Sequence, residues 1–363
     1  MNKLSFKKAL EYADYKKNKP TLLLGNGFSI AFEKSIFSYT SLFENARKNH
    51  LFNGAQRVLK LFDRTKIYNF ESSMKLLKTL MLIFNLYVTE QQSEKIKIQI
   101  TKDIEHLKNI IIKSILMSHP NDADALSEQQ YDYCAHFLHF FGFIYTLNYD
   151  LLLYWVVVRR LRNEFKDGFQ DPVGLKLGKE KNYVCWLPTY QSFTNLFYLH
   201  GGLHLYDAGY EIRKCCWSKQ SISLKDQIID NFLHNKLPLF VAEGTALEKL
   251  EVINHNAYLS AAFNSLSACS GSLFLHGLSF NEADHHILAA IAQSKVEKIF
   301  VSLYSEQPET IEKKDCALKQ LVHLRQTKQA YSSETIPSLQ IFYYDAASAN
   351  IWGNTVQKTE TYA

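Results

Sequence analysis

Four short segments of this chain gather the residue types that handle a phosphorylated sugar. The first, Leu22 to Ile30, reads LLLGNGFSI: an apolar run, then Gly25-Asn26-Gly27, then Ser29. A strand that feeds a glycine turn and then a helix points backbone N–H groups at an anion, and glycine lets a phosphate approach closely. Ile30 stands where the third glycine of the dinucleotide fingerprint belongs, and no strand with a ribose-binding acid follows about 20 residues on. The segment therefore also reads as a tight strand–helix turn with no ligand. The second segment, YTLNYDLL, sets Asn148 and Asp150 at the carboxyl end of an apolar strand. Ligands bind at such ends in open parallel sheets, although either residue could instead cap a following helix.

The third segment, FYLHGGLH, ends a strand at His200 and leaves space beside it with Gly201-Gly202. An imidazole can take a proton from water or a hydroxyl near neutral pH. His200 and His204 have the spacing of a metal pair, but the two glycines argue against the helix that would carry such ligands, and no metal is expected. The fourth segment, LFLHGLSF, repeats the strand-to-glycine-turn pattern with Gly277 and Ser279, whose hydroxyl could meet a ribose or phosphate. Asp284 could bind a ribose or simply favour the positive end of a helix. With His285 and His286 it reads more readily as structural. Glu243-Gly244 could shape a site or form a surface turn.

These segments need a scaffold. Strand-like runs at 21–24, 143–147, 196–199, 237–241, 273–276, 298–303 and 339–344 alternate in part with helical stretches such as 246–266 and 283–294. That alternation implies an α/β, doubly wound parallel sheet. Leu4 to Lys17 reads as an amphipathic helix closed by Pro20. From 33 to 140 glycine almost vanishes and helical periodicity takes over. Met74, Leu77, Met81 and Phe84 form one stripe, and Ile100, Ile104, Leu107 and Ile111 another. Ser127 and Gln130 fit a capping box before a further helix. The expected organisation is an α/β domain of residues 1–32 and 141–363, with an inserted helical subdomain at 33–140. Residues 163–193 show no regular period and read as a long loop.

Composition sets the bounds. The 363 residues are 47% hydrophobic and 21% charged, which is globular and far from the disordered class. Lys and Arg number 41 against 36 Asp and Glu, and a net charge of +5 is too small to argue for nucleic acid. His136 to Val158 is the nearest approach to a membrane span, but His136, His139, Asn148 and Asp150 would be costly in lipid. The six cysteines contain no C-x-x-C pair, and Met1 to Asn18 is charged throughout with no signal-peptide character. Reduced thiols in a cytoplasmic protein are expected. Seven of the 14 glycines, Gly25, Gly27, Gly168, Gly201, Gly202, Gly244 and Gly277, fall in or beside the segments above.

In chain order, GNGFS, TLNYD, LHGG, FVAEG and HGLSF resemble the signature turns of the sirtuin-like fold family. Those are a GAGIS-type loop, a TQNID-type strand end, an HG pair, an FGE-type turn and a GTS-type turn. The chain is more closely similar to the bacterial sirtuin-like NAD-hydrolase domains of anti-phage defence. Through FVAEGTALEKL, Asp167-Gly168-Phe169 and LHGLSFNEADHHIL it resembles the family called domain of unknown function 4917. The resemblance implies a Rossmann-like sheet with NAD as substrate. It places Gly25, Asn26, Gly27 and Ser29 on the phosphates, Asn148 and Asp150 around the nicotinamide ribose, His200 as the catalytic histidine, and Gly277 and Ser279 near the adenosine half, with Asp284 as a further cofactor contact.

Two departures bear on the reaction. The four-cysteine zinc module of sirtuin deacetylases is missing, since Cys215-Cys216 is an adjacent pair with no partner pair, and a long loop separates Asn148 from His200. Both argue against a peptide-deacylating groove. Breaking the nicotinamide–ribose bond develops oxocarbenium character, which a carboxylate such as Asp150 would stabilise. Asn148 could hold ribose hydroxyls or water, and His200 could activate water. The expected function is an NAD glycohydrolase releasing nicotinamide and ADP-ribose, triggered during anti-phage defence. The insertion would serve gating or homo-oligomerisation, and the resemblance allows for a partner protein of the defence system, without membrane or nucleic-acid partners. The alternative is a non-catalytic NAD- or ADP-ribose-binding regulatory subunit of a defence complex.

Overall fold

The computed structural model describes residues 3–87, 90–170, 183–216, 222–234, 236–241, 244–304, 307–331 and 337–353. Its strands are β1 (Thr21–Leu24), β2 (Phe143–Thr146), β3 (Phe169–Gln170), β4 (Tyr183–Trp186), β5 (Leu196–Tyr198), β6 (Gly201–Asp207), β7 (Ile212–Cys215), β8 (Pro238–Phe240), β9 (Ser270–His276), β10 (Lys295–Leu303) and β11 (Gln340–Asp345). Six of them form a parallel sheet in the order β11-β10-β9-β1-β2-β5. The chain builds from β1 outward to β5, returns to the other side of β1, and builds outward again to β11. This is the 3-2-1-4-5-6 order of dinucleotide-binding α/β sheets, with its switch point between β1 and β9.

β1 can occupy the centre because it is apolar on both faces. Leu22 and Leu24 join one buried cluster, while Leu23 joins the other with Tyr145, Phe197, Leu273 and Leu275. The register sets Leu24 level with Thr146 of β2 and with His276 of β9, so the turns that follow all three strands open at one height.

Every described element between β1 and β2 is helical, the longest being Phe70–Tyr87 and Glu90–Ser118. Met74, Leu77, Ile100, Ile104, Leu107 and Ile111 are buried, as their periodicity requires. Ser127 and Gln130 form both hydrogen bonds of a capping box ahead of the helix Glu128–His139. One buried cluster runs without a break from Phe43 and Phe62 of this block to Leu22, Leu24 and Phe274 of the sheet. No helix among the described residues is long and apolar enough to cross a membrane.

Three features differ from expectation. The stretch 163–193, read as irregular, contributes β3 and β4, strands too short to show a period in the sequence. They belong to a second, antiparallel sheet of order β3-β4-β7-β6-β8. The run 237–241, expected in the parallel sheet, supplies β8 to this second sheet instead. The helical run 246–266 is two helices, Ala246–His255 and Ala257–Ser267. Asn256 is extended there and caps the second by accepting from Leu259 N.

The chain passes from one sheet to the other at His200-Gly201, between β5 and β6. Gly201 has φ +78°, and a Cβ there would lie 2.0 Å from the Leu239 carbonyl oxygen of β8. Gly201→Ala is therefore expected to destabilise the fold by at least about 2 kcal/mol, from the strained φ plus the clash. An unchanged urea midpoint would show that β8 does not press against this turn.

Candidate active site

The turns after β1 and β9 interlock. Gly25 N donates to His276 O and Gly27 N to Gly277 O, each at 2.9 Å. A Cβ on Gly25 would lie 2.7 Å from Gly277 O, and one on Gly27 would lie 2.6 Å from Gly277 Cα. These glycines thus permit a close backbone crossing. Their N–H groups are spent on the neighbouring turn, and those of Phe28 and Ser29 are spent on Gly25 O and Asn26 O. A phosphate at this loop would not be received by those four amides, which is a correction to the sequence-based picture of the loop.

Ser29 is also placed differently from a phosphate ligand. It is fully buried; its hydroxyl donates to Asp150 Oδ2 at 2.5 Å and accepts from Asn148 Nδ2 at 3.1 Å. Asp150 Oδ1 accepts from Leu152 N at 3.0 Å, which ties the carboxylate to the backbone at the start of the helix Leu152–Val156. Burial pushes the Asp150 carboxyl above its usual range, against the pull of the Ser29 and Leu152 hydrogen bonds. Asn148 Oδ1 is buried with no hydrogen-bond partner among the described residues. An orphaned acceptor in a cavity wall is an invitation to a ligand donor.

His200 is 2% exposed, and its Nε2 lies 2.9 Å from His286 Nε2 with the rings stacked. Burial, the nearby Lys249 ammonium and His286 hold His200 well below the usual imidazole pKa. His286 is pushed down to about 4, chiefly by burial. Both rings are therefore favoured in the uncharged form at neutral pH, where a hydrogen bond between the two Nε2 atoms requires one of them to carry the proton. Beside them Lys249, 0% exposed, donates to Asp284 Oδ1 at 2.9 Å and lies 3.6 Å from Glu71 Oε2. Burial raises Glu71 to about 7, outweighing the attraction of Lys249. Ligating atoms of His200, Asp284 and His286 fall within 4.8 Å of one another, a donor set zinc would accept. Lys249 already supplies a cation to that carboxylate, and the two Nε2 atoms face each other, while His286 Nδ1 is buried with no hydrogen-bond partner among the described residues.

A narrow cavity of about 100 Å³ is lined by Asn148, Asp150 and His200 from the sheet side, together with Gly25, Asn26 and Asp284. Tyr39, Phe70, Glu71 and Ile111 of the helical block close it from above. An adjoining cavity of about 830 Å³ lies over the ends of β9, β10 and β11 and is lined by Gly27, Gly277, Ser302 and Lys314 among others. The two share Asn26, Tyr39, Leu278 and Ser279 as walls. Of the ten residues expected to react with or bind NAD, all but Ser29 line one cavity or both. His285 lines neither, Gly244 lies in the turn before the helix Ala246–His255, and Glu243 lies outside the described residues. His204 is buried against Tyr154 and Tyr198, away from both cavities. Asp167 of the DGF signature pairs with Lys214 beside the second sheet.

His286, which reads as structural in the sequence, faces His200 in the fold, and sequence reasoning does not single out Lys249 or Glu71. The spacing Asp284-x-His286 just after a glycine turn is the one signal that could have flagged His286. Nothing in their sequence neighbourhoods marks a buried lysine or its glutamate on distant helices.

Five buried histidines are held low: His119 and His286 to about 4, His276 to about 3, and His200 and His204 well below 6.5. The unfolded chain binds these protons near pH 6.5 and the native chain does not. Stability is therefore lost as pH falls from 6.5 toward 4, by up to about 1.4 kcal/mol per pH unit per histidine. Glu71 acts in the opposite sense, because its raised carboxyl favours the fold below 4.5 and loses that contribution as pH rises through about 7. Asp150, also raised by burial, acts in the same sense as Glu71; with five histidines against two carboxyls, urea midpoints are expected to fall from pH 6.5 to pH 5. A flat profile would contradict the burial of these rings as neutral groups.

A family profile with the description Domain of unknown function (DUF4917) matches residues 22–352. No curated protein matches the chain.

Proposed function

Because the chain belongs to the DUF4917 family, whose description assigns no chemistry, we propose a function from the site itself: an NAD glycohydrolase that releases nicotinamide and ADP-ribose. The observation that carries this reading is the placement of Asn148, Asp150 and His200 on one wall of the narrow cavity, which adjoins a larger one over the strand-order switch. A cavity of about 830 Å³ falls within the usual range for small-molecule sites, about 300–1,000 Å³. The nicotinamide ribose would lie against Asn148 and Asp150, and the adenosine half would occupy the larger cavity near Gly277 and Ser279.

In this mechanism the bond between nicotinamide nitrogen and the anomeric carbon breaks, and nicotinamide leaves with the bonding electrons. The Asp150 carboxylate, fixed by Ser29 and Leu152, stabilises the oxocarbenium charge. Asn148 Oδ1 accepts a hydrogen bond from a ribose hydroxyl. Water adds to the anomeric carbon while neutral His200 takes its proton, with His286 sharing the charge across the Nε2–Nε2 contact. The products are nicotinamide, ADP-ribose and one proton.

Tyr39, Phe70, Glu71 and Ile111 of the helical block form one wall of the narrow cavity, so movement of the block would modulate access to Asn148, Asp150 and His200. That supports a triggered enzyme, in keeping with an NAD-depleting effector of bacterial anti-phage defence. Homo-oligomerisation through the block belongs to the same proposal, and light scattering that finds a single chain at all concentrations would remove it. One observation favours the second reading, a regulatory subunit that binds NAD or ADP-ribose without turnover: both Asp150 oxygens are already engaged. Calorimetric titration with ADP-ribose, paired with chromatography of nicotinamide, separates the two. Binding with release supports the hydrolase, binding without release the regulatory subunit, and no binding removes both.

A further inference from the structure

The chain buries two lysines near the site, and they are treated in opposite ways. Lys249 has two carboxylates. Lys314, 7% exposed on the helix Pro308–Tyr331, has none among the described residues. Its ammonium donates to Ser302 O at 2.7 Å and lies 5.7 Å from the centre of the Phe280 ring. Glu309 reaches the same cavity, but it is exposed and makes no ion pair with Lys314. Burial alone draws the Lys314 amine down to about 8. A buried ammonium without a counter-charge is costly unless an anion meets it.

Lys314 forms part of the wall of the larger cavity, with the exposed Ser279 and Lys313 beside it. Lys313 Nζ, by contrast, is held by Asn281 Oδ1 at 2.7 Å. The loop amides at Gly25 and Gly27 are already spent on the turn after β9, so a phosphate in this region needs another receptor.

We propose that the larger cavity is an anion site in which Lys314 receives a phosphate group of the bound nucleotide. The proposal rests on the NAD reading only for the identity of that nucleotide. The phosphate can be the diphosphate bridge or an additional phosphate on the adenosine ribose, and ligand choice distinguishes them.

The test is calorimetric titration of the full chain in a His200→Ala background, where turnover does not consume the ligand. The probes are adenosine, pyrophosphate, ADP, NAD and NADP, each against Lys314 and Lys314→Met. Lys314→Met is expected to weaken ADP, NAD and pyrophosphate at least tenfold and adenosine not at all. Loss confined to NADP would place the additional phosphate at Lys314 and equally support the site. Lys314→Arg should retain most of the affinity. Without ligand, Lys314→Met should melt no lower than its parent, since it removes a buried charge; a lower melting temperature would mark a structural lysine and overturn the proposal.

Unchanged affinities for every phosphate-bearing probe would overturn it as well, as would a parent protein that binds none of them. Pyrophosphate binding without NAD binding would sustain the anion site while the NAD reading failed. NAD and NADP binding that are both indifferent to Lys314→Met would do the reverse.

Discussion

Replacing His200 with alanine is expected to lower the rate of nicotinamide release from NAD by about 10²-fold or more, the range over which a positioned general base contributes. His200 is the base in the proposed mechanism because it lines the cavity beside Asn148 and Asp150; burial and Lys249 keep it neutral in the resting site and also weaken it as a base. The fold should survive the change, since the turn is set by Gly201 and by the bond from Val241 N to His200 O, both backbone features. His286→Gln should cost less, because it removes the partner at 2.9 Å but leaves His200 in place. Asn148→Ala should also suppress release, mainly by weakening NAD, as it removes the unpartnered acceptor in the cavity wall. Initial rates against NAD concentration separate these effects. Full activity in His200→Ala would dismiss His200 as the base.

The second large effect is on stability. Lys249→Met is expected to destabilise the fold by about 3 kcal/mol, the cost of leaving a buried ion pair with one partner removed. The ammonium is fully buried and holds Glu71 of the helical block to Asp284 of the α/β domain. Without it Glu71 would be protonated to still higher pH, so the loss should be greater at pH 8 than at pH 6. Adding Glu71→Gln to Lys249→Met should recover part of the loss by removing one of the stranded carboxylates. Urea midpoints at the two pH values measure all of this. An unaltered midpoint would mean that the triad does not hold the block to the sheet.

The parts that were legible in the sequence are those with local signatures. β1 is an unbroken apolar run, which only a doubly buried strand explains, and the turns after β1, β2, β5 and β9 carry their own glycines or polar pairs. The capping box at Ser127 and Gln130 and the two helical stripes are likewise local. The second sheet was not legible, because β3 and β8 have two and three residues and owe their pairing to distant strands. Gly25 and Gly27 were legible as special but not for the right reason: their freedom serves the crossing with Gly277, which lies far along the chain. Ser29 likewise reads as a phosphate ligand until Asp150 is seen against it. Lys249, Glu71 and His286 belong to the site through tertiary placement, and a buried charge leaves no periodic trace.

The central claim is that this cavity cleaves NAD. Its most direct test is to incubate the purified chain with excess NAD and count nicotinamide and ADP-ribose released per chain by chromatography, beside Asn148→Ala and His200→Ala. The account predicts many equivalents of both products in equal amounts from the unaltered chain, release slowed about 10²-fold or more in His200→Ala, and release in Asn148→Ala that falls off most at low NAD. NAD that binds to the unaltered chain and is recovered intact would contradict it.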